Sequence, residues 1–173
     1  MTDSTAPMGS SAKNPVNVFP DGSPSAALGG VQVFQATIQG RLPGGRPASD
    51  EQDLNLHMFC VPAEDGDEAS FALISDLQVS KGPWFLAVSA SSALLFRNRT
   101  DAPAPNVDGA NALLKSLGPW ASHALYDHLA LTARTLLAAV PGCPITIPVE
   151  TPHPHLTEIR KGRPASKQET DEV

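Results

Sequence analysis

Three runs of alternating polar and apolar residues, joined by short links, occupy the middle of the chain. From Asp53 to Val61, Leu54, Leu56, Met58 and Cys60 fall on one face, and Asn55, His57 and Phe59 on the other. That is the period-2 pattern of a half-buried strand, and Pro62 ends it. Ser70 to Ser80 repeats the pattern, with Phe71, Leu73, Leu77 and Val79 alternating against Ala72, Ile74, Asp76 and Gln78. Trp84 to Phe96 extends it, placing Trp84, Leu86, Val88, Ala90, Ser92, Leu94 and Phe96 on one side. The links are an acidic turn, Ala63 to Glu68, and Lys81-Gly82-Pro83. Connections this short dictate antiparallel pairing, because a parallel crossover needs about a dozen residues or more. Upstream, Val31 to Gly40 is β-branched and free of proline, which predicts a further strand ahead of the Pro-Gly-Gly loop.

Beyond the strands the period changes. Val107 to Ser116 predicts a short helix, and Gly118-Pro119 opens a longer one that runs to about Val140. Ala121, Leu125, Leu129, Thr132, Leu136 and Val140 recur at helical spacing, with Ser122, Tyr126, Asp127, Ala130 and Arg134 toward the other side. Pro141-Gly142 stops the helix. Ile145 to Val149 reads as a short extended piece whose prolines suit an edge or a segment lying over the helix. The expected fold class is therefore α+β: a four-stranded antiparallel sheet followed by a long C-terminal helix. Residues 1–29, rich in Ser, Pro, Gly and Ala, read as a flexible arm, 30–150 as the folded domain, and 151–173 as a disordered tail.

Charge and motifs narrow the function by exclusion. A net charge of −6 argues against nucleic acid, whose binding rests on Lys and Arg neutralising phosphates. No apolar run approaches the roughly 20 residues of a membrane helix, so membrane insertion is not expected. Met1 to Pro15 has neither a basic nor an apolar signal region, and a cytoplasmic location is the expectation. His123 and His128 are five residues apart, whereas a zinc pair on one helix requires three or four. Pro154 separates His153 from His155, which opposes a shared ion. No Gly-x-Ser-x-Gly elbow is present, and Cys60 sits in a strand pattern as a core residue. Gly29-Gly30 and Gly44-Gly45 are loop glycines, because neither pair joins a strand to a helix as phosphate loops do. The expectation is no enzyme, no metal and no cofactor.

Apolar surface remains. Both faces of the strands around Phe34, Phe59, Phe71 and Phe85 hold large apolar side chains, and one helix covers only one face of a sheet. The second face predicts a partner or self-association.

The order of elements resembles the protein-export chaperone family SecB. The resemblance covers residues 31–150. It is carried by Leu117-Gly-Pro-Trp-Ala-Ser-His-Ala-Leu-Tyr-Asp-His-Leu129 through Thr146-Ile-Pro-Val149, similar to the family's long helix, Pro/Gly stop and following apolar stretch. Leu94-Leu95-Phe96 is similar to the end of the family's last strand. The family's Phe-Pro-Tyr-Ala-Arg-Glu type run is reduced here to Leu125-Tyr126-Asp127-His128, without the proline or the Arg-Glu. Docking to the translocase motor is therefore not carried over, and a relative serving a toxin–antitoxin system fits equally. The resemblance implies a dimer of dimers that holds unfolded polypeptides or preproteins without ATP. Phe34, Phe59, Phe71, Trp84, Phe85, Trp120 and Tyr126 are the candidate polypeptide-binding residues, with Trp84 and Trp120 foremost. The competing expectation is a structural or assembly subunit of a larger particle.

Overall fold

The computed structural model describes residues 26–40, 50–62, 71–98 and 101–160. The expectations for residues 1–25, the acidic turn and residues 161–173 lie outside them. In chain order the elements are β1 (Ala26–Gly40), β2 (Asp53–Pro62), β3 (Phe71–Lys81), β4 (Trp84–Phe96), α1 (Val107–Ala138) and β5 (His155–Leu156). They form one sheet in the order β1-β4-β3-β2-β5, with α1 packed on one face. The fold is the expected α+β class. Strands β1 to β4 pair antiparallel, and β5 adds a two-residue parallel pairing on β2.

The turn between β3 and β4 follows from its residues. Gly82 takes φ +54, which a side chain would resist, and Pro83 supplies the negative φ that follows it. Alternation then fixes the faces. Leu56, Met58 and Cys60 of β2, Phe71, Leu73 and Leu77 of β3, and Leu86, Val88 and Leu94 of β4 are all buried under α1. The core has two lobes along the helix. Leu113, Leu114, Ala121 and Leu125 close the lobe around Cys60, Phe71 and Leu94. Tyr126, Leu129, Ala130 and Ala133 close the lobe around Leu56, Leu77 and Val88.

Several expectations are corrected. There is one helix from Val107 to Ala138, not two, and Pro119 lies inside it. The true start is Asn106, whose side chain accepts from the Gly109 amide at 2.9 Å, with Asp108 in the positively polarised first turn. A proline removes one backbone donor from an interior turn. Beside Pro119, Ser122 donates its hydroxyl to the Pro119 carbonyl at 2.8 Å. The buried stripe is also wider than expected, because Ser122, Tyr126 and Ala130 are buried beside Ala121, Leu125 and Leu129. A helix lying on a broad sheet buries a wide arc rather than a single seam.

The ends differ too. β1 begins at Ala26, inside the expected arm, where Ala26 pairs with Phe96. Residues 151–160, expected in the tail, are folded as part of a strap running back along α1. Asn111 exchanges two hydrogen bonds with the Ile159 backbone, at 2.9 and 3.0 Å. The Thr157 amide bonds the Met58 carbonyl at 2.8 Å, and Leu156 packs into the first lobe. These side-chain clamps hold a segment whose composition alone reads as solvated.

Candidate functional site

The sheet face away from α1 is built from the outward parity of each strand. A cross-strand row of His57, Asp76, Ser89 and Gln35 runs through its middle. On one side lie Phe59, Ile74 and Ser91, and further along Val61, Ala72 and Ala93. On the other lie Gln78 and Ala87, and then Ser80 and Phe85. The centre of this face is therefore polar, with Phe59 and Ile74 on one side of it and Phe85 at the opposite end. Ala87 and Ser89 are buried despite facing away from the helix, whereas Phe59, Ile74 and Phe85 are half-buried.

β1 is the edge strand at one end of the sheet order. Its pairing with β4 shifts register twice, between Leu28 and Val31 and between Val33 and Gln35. Phe34 occupies the second bulge and is 54% exposed. The whole strand carries no charged residue and no proline.

The seven sequence candidates separate accordingly. Phe59 and Phe85 lie on the outward face, and Phe34 on the adjoining edge strand. Their spread is wide: Phe59 and Phe85 pair with Ile74 and Ser80, six residues or roughly 20 Å apart on β3. Trp84 is half-buried and packs against the second core lobe, on the helix side. Trp120 is 48% exposed on α1, on the other side of the molecule from Phe59. Phe71 and Tyr126 are corrected to core residues, both fully buried. Phe71 stacks edge-on against Phe96, and the Tyr126 hydroxyl donates to the Pro148 carbonyl at 2.7 Å. An aromatic so enclosed cannot receive a polypeptide without opening the core. Leu95 and Leu131, both exposed, were not singled out from the sequence. The parity of β4 places Leu95 outward with Phe85, which was a readable signal. Leu131 sits outside the apolar stripe of α1.

A concavity of 610 Å³ lies where the strap meets α1, lined by Pro119, His123, Thr151, His153 and Leu156 among others. His123 shares a 3.0 Å hydrogen bond with the Thr151 hydroxyl. The rings of His57 and His155 stack with centroids 5.2 Å apart. Among the described residues no group of three His, Cys, Asp or Glu side chains could hold a metal ion. Burial pushes the Cys60 thiol up to about 12, so it stays protonated and a poor nucleophile at neutral pH.

No protein-family profile and no curated sequence matches this chain. A solved structure does. It is the Mycobacterium tuberculosis Rv1957 SecB-like chaperone, in complex with a ChAD peptide from the Rv1956 HigA1 antitoxin. The likeness has a TM-score of 0.51 at 12% identity, covering 73% of this chain and 88% of that one. The fold is SecB-like. At such low identity the likeness speaks to the backbone and leaves the side-chain surface to be read from this chain itself. No helix among the described residues is long and apolar enough to cross a membrane.

Proposed function

We propose that this chain is a SecB-like, ATP-independent holdase that binds non-native polypeptide, works as a homo-oligomer, and performs no catalysis. The observation that carries the reading is the uncharged edge strand β1, with Phe34 standing out from its bulge, next to a sheet face that α1 leaves uncovered. An open edge offers unpaired backbone groups to an extended chain, and neighbouring apolar side chains add affinity without reading sequence. Phe34, Phe59 and Phe85 are the binding residues of this reading, and no cofactor enters it. The structural neighbour was solved with an antitoxin peptide, which makes an extended segment of an antitoxin a reasonable client class alongside preproteins. The net charge of −6 helps keep a loaded complex in solution.

The test is light scattering of a denatured client diluted into buffer with the protein and without nucleotide. Wild type should suppress aggregation, and Phe34→Ser combined with Phe85→Ser should lose most of that protection while keeping its circular dichroism. An oligomer indifferent to the client would sink the holdase and favour an assembly subunit.

A further inference from the structure

The concavity between α1 and the strap takes no part in the holdase reading, and its lining has a chemistry of its own. Its 610 Å³ lies within the size range of small-molecule sites. α1 contributes Pro119, Ser122 and His123, and the strap contributes residues 151–156. No Asp, Glu, Lys or Arg is among the lining residues, but three are histidines, His123, His153 and His155, all exposed. Pro119, Pro152 and Pro154 offer no backbone N–H. The Ser122 hydroxyl donates to the Pro119 carbonyl, and the Thr151 hydroxyl meets His123 Nδ1 at 3.0 Å. The side-chain donors that remain for a guest are therefore imidazoles. They stand on two walls that are already fixed. Leu156 packs into the first lobe, the Thr157 amide bonds the Met58 carbonyl, and Asn111 clamps the Ile159 backbone. The three rings do not converge on one metal ion. Spread around one cavity, they suit a guest with several acceptor groups.

We infer that this concavity is a proton-gated site for a small anion bearing two or more phosphate or carboxylate groups, held between His123 on α1 and His153 and His155 on the strap. Histidine is the side chain whose charge changes between about pH 5 and 8, and a protonated imidazole donates from both ring nitrogens. Such donors make charge-assisted hydrogen bonds to anionic oxygens. The surroundings set the sign of the gate. His57 of β2 stacks on His155 with centroids 5.2 Å apart, so protons on both rings repel until an anion offsets them. Asp76 of β3 stands opposite His57, Asp127 lies one turn beyond His123 on α1, and Glu150 precedes Thr151 on the strap. Glu158 is paired with Lys115 of α1 at 2.8 Å. These carboxylates lie outside the lining. They favour the protonated rings, and with the net charge of −6 they oppose an anion while the rings are neutral. The site uses none of Phe34, Phe59 and Phe85, so it and the holdase reading can fail separately.

The experiment is isothermal titration of the full chain with pyrophosphate at about pH 6 and about pH 8. Binding should be saturable at the lower pH and about tenfold or more weaker at the higher, although pyrophosphate itself carries more charge there. Citrate in a parallel series separates the two sources of the charge, the tighter binder naming phosphate or carboxylate. Acetate, with one carboxylate, should bind far more weakly than either. His123→Gln and His153→Gln should each weaken binding by about tenfold, with circular dichroism checking the fold. His128→Gln, exposed on the same helix but outside the lining, should change nothing. A second readout needs no variant: the ring-proton resonances of three histidines should shift with pyrophosphate along one saturation curve, while one further histidine, His128, stays put. No binding of pyrophosphate or citrate at the lower pH would overturn the site. So would equal affinity at both pH values, acetate binding as tightly as pyrophosphate, or undiminished binding in both glutamine variants of the lining.

Discussion

At the residue scale, the two cysteines show how far environment sets chemistry. Cys60 is fully buried on the helix-facing side of β2, and Cys143 is half-buried after the helix stop. A thiol reagent at neutral pH should modify one cysteine in the folded protein and both in denaturant. Rapid modification of Cys60 in the native state would contradict the packing of the first lobe. The raised thiol also has a consequence with a definite sign. The folded state retains a proton that the unfolded chain releases above its ordinary value of 9.0. Stability from this site is therefore complete below pH 9 and declines between there and about pH 12. Tyr126 acts in the same direction, its hydroxyl pushed up chiefly by burial, with Arg134 opposing and Asp127 adding a smaller rise. Denaturation midpoints measured from pH 8 to 10.5 should fall, and Cys60→Ala should flatten part of that slope. The position of Cys60 in the core was legible from strand parity alone. Tyr126 was not: it lies one residue past Leu125, and only the breadth of the sheet beneath α1 brings it inside.

At the scale of elements, the strands were readable because parity depends only on neighbouring residues, and β4 spans the residues its pattern suggested. The helix start is not legible locally, because a Gly-Pro pair marks helix starts in general, while tertiary packing carries this one through. Gly118 illustrates the cause, for a Cβ there would come within 3.0 Å of Leu156, a contact made across the molecule and invisible to local pattern. The actual start is less forgiving. A side chain at Gly109 would run into the Ala104 backbone carbonyl and come within 3.3 Å of Phe71. Gly109→Ala should destabilise the protein by about 1–3 kcal/mol despite its better helix propensity, as read by urea denaturation. An unchanged or raised midpoint would show that the loop before α1 yields. Of the candidate site, Phe34, Phe59 and Phe85 could be found from the sequence. Phe71 is buried instead, and an aromatic on a strand looks alike in sequence whichever face is covered.

At the scale of the whole molecule, α1 is the element both core lobes share. The first lobe takes Ala110 to Leu125 and the second takes Tyr126 to Ala133, with no break in the helix between them. Neither lobe can open alone without leaving half of α1 unsupported. Unfolding should accordingly be a single cooperative transition. Leu114→Ala and Leu129→Ala, one in each lobe, should each lower stability by about 2–5 kcal/mol with the denaturant slope unchanged. Two separate transitions, or a slope that drops in one variant only, would show that the lobes are independent units.

The two register shifts of β1 bear on what its edge can accept. They divide the strand into separate reading frames, residues 26–28, 31–33 and 35–40, each in step with β4 but out of step with one another. An incoming chain can zip along one frame and then loses its place at the next bulge. Such an edge welcomes short stretches of almost any extended chain. It also denies a long continuous strand the uninterrupted template on which fibrils grow.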